Sequence, residues 1–163
     1  MLAEIKNDLL YLLNILESIE KIHIYSEKTG TAEDFFYAND QLNFNATLNL
    51  FAHIGENAGK ISSELKNKNP GLNWQDIKDF RNKIVHDYMG IDIFVVFKII
   101  KNELKPLKER IFCIIAEELE NKNFDENEFQ LARESFYYRH IPFDEIKEES
   151  KTRGKGNDHE KNS

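Results

Sequence analysis

Cysteine is almost missing from this chain: Cys113 is the single one in 163 residues. That excludes an intrachain disulfide framework and a cysteine-rich metal cage. Glycine and proline are scarce too, at seven and three, too few for the many tight turns of a β-sandwich. No apolar run approaches the ~18 residues that a membrane-spanning helix needs. Basic charge is the remaining shortage. The 22 Lys and Arg face 29 Asp and Glu, a net charge of −7, so the chain does not coat nucleic acid through a broad basic surface. Any such contact must be local. The N-terminus shows neither a cationic n-region nor a cleavage pattern, and the expectation is a cytoplasmic protein with no membrane association.

What is present is helical in period, and the fold class expected is all-α. Leu2, Ile5, Leu9, Leu12, Leu16 and Ile19 recur at steps of three and four, a helix running to about Ile24. Glu27-Lys28-Thr29-Gly30 reads as a turn, and Thr31 with Asp34 has the shape of a capping box. A second helix then carries Phe44, Leu48, Phe51, Ala58, Ile61 and Leu65 to about Lys66, with a bend at Ala38-Asn39-Asp40-Gln41. Gly55 and Gly59 on it suit close helix packing better than a phosphate cradle, because no strand precedes them.

Pro70-Gly71 stops that helix. Asn73 caps a third, with a ridge of Trp74, Ile77, Phe80 and Ile84. Asp92 caps a fourth, whose stripe is Ile93, Phe97, Ile100, Leu104, Leu107, Ile111 and Ile114, with a kink from Pro106 near Asn102. Phe94, Val96 and Ile99 lie off the stripe, as for a helix shared with a second subunit. Cys113 in this pattern reads as a small buried hydrophobe. Beyond Glu120 a short amphipathic helix spans about Glu126 to Tyr138. Phe136-Tyr137-Tyr138-Arg139-His140 suits docking of this appendage better than nucleotide stacking. Residues 150–163 are polar and charged, and disorder is the expectation there.

The chemistry gathers in Arg81-Asn82-Lys83-Ile84-Val85-His86-Asp87-Tyr88. It combines a permanent cation, a group that exchanges protons near neutral pH, and a phenol. On an ideal helix Arg81 and Tyr88 fall within about 20° of each other, whereas His86 lies about 140° from Arg81. Asn82 shares the His86 face and could fix its tautomer. One helix therefore does not easily aim Arg81 and His86 at one atom, and a helix distortion or a second copy of the motif is the expectation. Without such a site, Arg81 would be a surface ion pair with Asp76 or Asp79, His86 a partly buried histidine, and Tyr88 a core ring. His53 and Glu56 read as a surface pair, and no Cys or His spacing completes a metal site.

Arg-x4-His-x-Tyr, followed by Gly90-Ile91-Asp92 and preceded by Ile54-Gly55-Glu56, Pro70 and Trp74, resembles the HepT-like branch of the HEPN superfamily over roughly residues 1–118. The resemblance implies a HEPN-type four-helix bundle over residues 1–120; beyond it, pattern and composition alone give a helical extension at 121–149 and the tail at 150–163. The resemblance implies a two-fold homodimer with the motifs facing across a cleft. It also implies a metal-independent endoribonuclease, the toxin of a type VII toxin–antitoxin pair, with no cofactor. Arg81, His86 and Asn82 would be the catalytic residues, and Glu56 and Asp87 would line the cleft. A minimal nucleotidyltransferase antitoxin would transfer AMP to Tyr88. The alternative is a non-catalytic partner that presents a nucleotide or substrate to such a nucleotidyltransferase.

Overall fold

The computed structural model describes residues 7–156, and every regular element among them is helical. Helix α1, Asp8–Ser26, starts at Asn7, whose side chain accepts the Leu10 amide at 3.1 Å. Its expected stripe is buried at Leu9, Leu12, Leu16 and Ile19, and so are Leu13, Ile15 and Ile22. A helix buried on this much of its circumference sits at the centre of a bundle. Leu2 and Ile5 lie outside the described residues.

The second expected helix is three: α2, Ala32–Tyr37, α3, Leu42–Lys60, and α4, Ser63–Lys68. Thr31 caps α2 as expected, accepting the Asp34 amide at 3.1 Å. The bend is a full break, because Asn39, Asp40 and Gln41 all take positive φ, at 50°, 55° and 66°. Asn and Asp tolerate that region better than most residues. The second break falls at Ile61, which is extended, and Ser62 restarts the helix by accepting the Leu65 amide at 3.2 Å.

Helix α5, Trp74–His86, starts at Asn73, which accepts the Asp76 amide. The kink expected from Pro106 is likewise a division, into α6, Ile93–Asn102, and α7, Leu104–Glu120. Pro106 is the third residue of α7, where its missing N–H leaves no intrahelical bond unmade. Helices α1, α3, α5 and the α6–α7 pair form the HEPN-type bundle. Ile84 is the one fully buried residue of α5. Trp74, Ile77 and Phe80 are half-buried against the core, with Phe80 edge-on to Phe51 of α3 at 5.2 Å. Helix α5 thus lies on α3 at the flank of the bundle, with its C-terminal end exposed.

The extension packs as α8, Glu126–Glu134, a 3-10 turn, Phe136–Tyr138, and α9, Phe143–Gly156. Phe129 and Phe143 meet edge-on at 5.4 Å, and Ile146 is buried beside them. The turn docks on α1 through polar pairs: the Tyr138 hydroxyl donates to Asn14 Oδ1 at 2.8 Å, and His140 Nδ1 lies 2.6 Å from Glu17 Oε1. Helix α9 continues past residue 150, so residues 150–156 are helical where sequence composition suggested a disordered tail. The remainder, 157–163, lies outside the described residues. Cys113 is only partly buried, its thiol 3.6 Å from Glu149 of α9. Among the described residues no helix is long and apolar enough to cross a membrane.

Candidate functional site

The motif begins where α5 rests on α3. A Cβ at Gly55 would overlap Arg81 Cβ and lie 2.6 Å from Arg81 Cγ and 3.2 Å from the Ile77 carbonyl oxygen. Only glycine lets the two backbones approach this closely, so Gly55 is the seat of the Arg81 stem. Gly59 has nothing within 4 Å of the same position and takes no part in this contact.

The half-buried Arg81 donates from Nη1 to Asn82 Oδ1 at 3.0 Å. Asn82 therefore serves the guanidinium, not the imidazole. The ion pairs suggested for Arg81 do not form: Asp76 accepts from Asn73 Nδ2 at 2.6 Å and Asp79 from Gln75 Nε2 at 2.7 Å. With no carboxylate partner among the described residues, the cation is available to an anion.

His86 is the last residue of α5 and is exposed, its imidazole without a hydrogen-bond partner among the described residues. The Asp87 amide closes the final turn on the Lys83 carbonyl at 2.8 Å, and Asp87 then leaves the helix at φ −140°, ψ 51°. Since α5 is regular up to that point, Arg81 and His86 keep their separation of about 140° around one helix. The distortion comes one residue too late to bring them together.

It does move Tyr88. The ring was expected on the α5 ridge above Arg81, but Tyr88 starts a 3-10 turn, Tyr88–Gly90, outside the helix. The ring is 46% exposed instead of packed in the core, and its hydroxyl donates to Asn45 Oδ1 on α3. Asn45 was not legible as a site residue, because only the fold brings it to a tyrosine 43 positions away. Gly90 closes the turn against Asp87, whose Cγ would lie 2.7 Å from a Cβ there. Asp87 and Glu56 are both exposed.

Apolar side chains within the motif and just after it in the chain are exposed: Val85 (52%), Met89 (94%), Phe94 (58%) and Val95 (47%). Two grooves lie elsewhere. One, of about 520 Å³, is bordered by Phe51, Ile77, Phe80 and Leu107; the other, of about 960 Å³, by Lys105, Lys108, Glu145 and Glu148. Neither is lined by Arg81 or His86. Among the described residues no three His, Cys, Asp or Glu converge as metal ligands, and His53 sits beside Asn57, 3.3 Å from its amide nitrogen.

Residues 15–114, which contain the whole motif, match the model of the family described as ribonuclease HepT-like. A protein of Methanocaldococcus jannaschii, whose name joins a gamma-glutamylcyclotransferase to a candidate RNase, is 32% identical over 120 residues. The match covers 74% of this chain and 53% of that relative, so the chain spans about half its length. A probable ribonuclease HepT of Thermococcus cleftensis is 31% identical over 98 residues, 60% of this chain and 86% of that one. No solved structure matches.

Proposed function

The chain belongs to the HepT-like ribonuclease family, and from that premise we propose a metal-independent endoribonuclease that works as a two-fold dimer in the cytoplasm. The observation that carries this reading is the divergence of Arg81 and His86 around a regular α5. A cation and a proton-transfer group that diverge around one helix can meet across a two-fold axis, with Arg81 and Asn82 from one subunit facing His86 from the other. The exposed Val85, Met89, Phe94 and Val95 supply apolar area for such a contact.

In this mechanism neutral His86 takes the proton of a ribose 2′-hydroxyl as that oxygen attacks the adjacent phosphorus. Arg81, steadied by Asn82, stabilises the charge on the phosphorane oxygens. The bond to the 5′-oxygen breaks as the His86 imidazolium returns its proton to that oxygen, and a cyclic phosphate remains. Glu56 and Asp87 would line the cleft. Control would come from a minimal nucleotidyltransferase antitoxin that transfers AMP to Tyr88, as in a type VII toxin–antitoxin pair. The adduct would project from the turn after His86 and place negative charge and bulk in the path of the RNA.

The unpartnered His86 also suits a second reading, in which the chain does not cleave but presents a nucleotide to the nucleotidyltransferase. Incubation of the purified chain with RNA separates the two. The ribonuclease reading expects cleavage to cyclic-phosphate ends that EDTA leaves unchanged. It also expects His86→Ala and Arg81→Ala each to reduce cleavage by about 10²-fold or more. Intact RNA with a folded wild-type chain selects the second reading.

A further inference from the structure

Between Ile84 and Val96 no residue is fully buried: Val85 to Gly90 are all exposed, and Ile91 and Ile93 are half-buried. Backbone bonds in this segment are local, Asp87 to Lys83 and Gly90 to Asp87, and Asp92 caps α6 through the Phe94 amide. Among the described residues a single hydrogen bond crosses from residues 85–95 to another element, the Tyr88 hydroxyl to Asn45 Oδ1. Asn45 lies in the first turn of α3, the helix that also seats Arg81 through Gly55. One helix therefore touches both ends of the motif, Arg81 through packing and the turn after His86 through one polar contact.

We propose that Asn45 is a positioning residue: by accepting the Tyr88 hydroxyl it holds the 88–90 turn against α3 and so fixes the His86 end of α5. The inference rests on the ribonuclease reading above and deepens it. The contact needs the phenolic proton. A group attached to the phenolic oxygen removes that proton, so modification of Tyr88 abolishes its donation to Asn45 Oδ1. Modification would then release the turn that follows His86, in addition to placing charge and bulk near it. An aspartate at position 45 can still accept the phenol, while alanine cannot.

The test combines amide hydrogen exchange across residues 87–91 with steady-state RNA cleavage in Asn45→Ala, Tyr88→Phe, the double variant and Asn45→Asp. Asn49→Ala, one turn further along α3 and exposed, is the control. Loss of one hydrogen bond predicts that each single variant raises exchange and lowers kcat by about three- to tenfold. KM should not change. The double variant should match either single, because both remove the same contact, and Asn45→Asp should restore both readouts. Unchanged exchange in Asn45→Ala, or additive effects in the double variant, overturns the proposal. So does a raised KM with unchanged kcat, which would make Asn45 an RNA contact. If the wild-type chain does not cleave RNA, the ribonuclease reading fails, while the exchange measurements still decide whether Asn45 holds the turn.

Discussion

Gly55 of α3 and Arg81 of α5 occupy one contact: the space a side chain would take at residue 55 is filled by the Cβ and Cγ of Arg81. Gly55→Ala should therefore separate the two helices and displace the guanidinium. Overpacking of this kind costs about 1–3 kcal/mol, which thermal unfolding will read, and RNA cleavage should fall with it. Gly59→Ala, which meets open space, should instead stabilise the chain by about 0.5–1 kcal/mol through helix propensity. Equal behaviour of the two variants would contradict the seating of Arg81 on Gly55.

If each site takes Arg81 from one subunit and His86 from the other, two inactive variants should rescue each other. A mixed dimer of Arg81→Ala and His86→Ala chains retains one complete site, so random mixing should recover about a quarter of the wild-type activity. Light scattering should report a dimer, and Phe94→Asp should reduce it to a monomer without activity. A wild-type monomer, or mixtures as inactive as their components, would rule out a shared site.

Co-expression with the cognate nucleotidyltransferase should add about 329 Da per AMP to this chain. Peptide mass spectrometry should place the adduct on Tyr88, and cleavage should cease. Tyr88→Phe should stay folded and escape modification. An adduct on Tyr11, Tyr25, Tyr37, Tyr137 or Tyr138, or a neutralised complex without any adduct, would contradict control through Tyr88.

Tyr138 offers a readout of the docked extension that does not depend on activity. Burial, reinforced by the negative charges of Glu17 and Glu128, raises the pKa of its phenol above that of free tyrosine. The folded chain therefore keeps the Tyr138 proton at a pH where the unfolded chain releases it. Its contribution to stability is complete below the free-tyrosine value of about 10 and is lost as pH rises through the higher folded value. Alkaline denaturation followed by tyrosinate absorbance should show this late-titrating tyrosine in the wild type and not in Tyr138→Phe. The same alkaline sensitivity in both chains would remove Tyr138 as its source.

Helix starts were legible because capping chemistry is local. Thr31, Asn73 and Asp92 each accept the expected backbone amide, and the apolar periods of α1 and α7 correspond to buried faces. Breaks were less legible. Asn39, Asp40 and Gln41 carry no glycine to announce positive φ, and the Ser62 cap after Ile61 stands inside a continuing apolar period, so three helices read as one. The motif was visible as composition but not as geometry. Asp87 ends α5 before Tyr88, Asn82 turns to Arg81, and Asn45 enters through a contact that no local pattern encodes. The first half of α9 falls in the helical extension expected at 121–149, but its continuation to Gly156 was not legible, because its apolar residues, Phe143 and Ile146, occupy one turn and the rest is charged.

Docking of the extension on α1 has a consequence for the order in which the chain is made. Glu17 and His140 are 123 residues apart, and Asn14 and Tyr138 are 124 apart. A ribosome adding about 5–20 residues per second needs roughly 6–25 s to cover that distance. During this interval one flank of α1, including the carboxylate of Glu17, remains open while α3, α5 and α7 emerge. A nascent chain stalled near residue 120 would thus hold every residue of the Arg81–Tyr88 motif with α1 incompletely covered, and protease access to α1 should end only when His140 has left the exit tunnel.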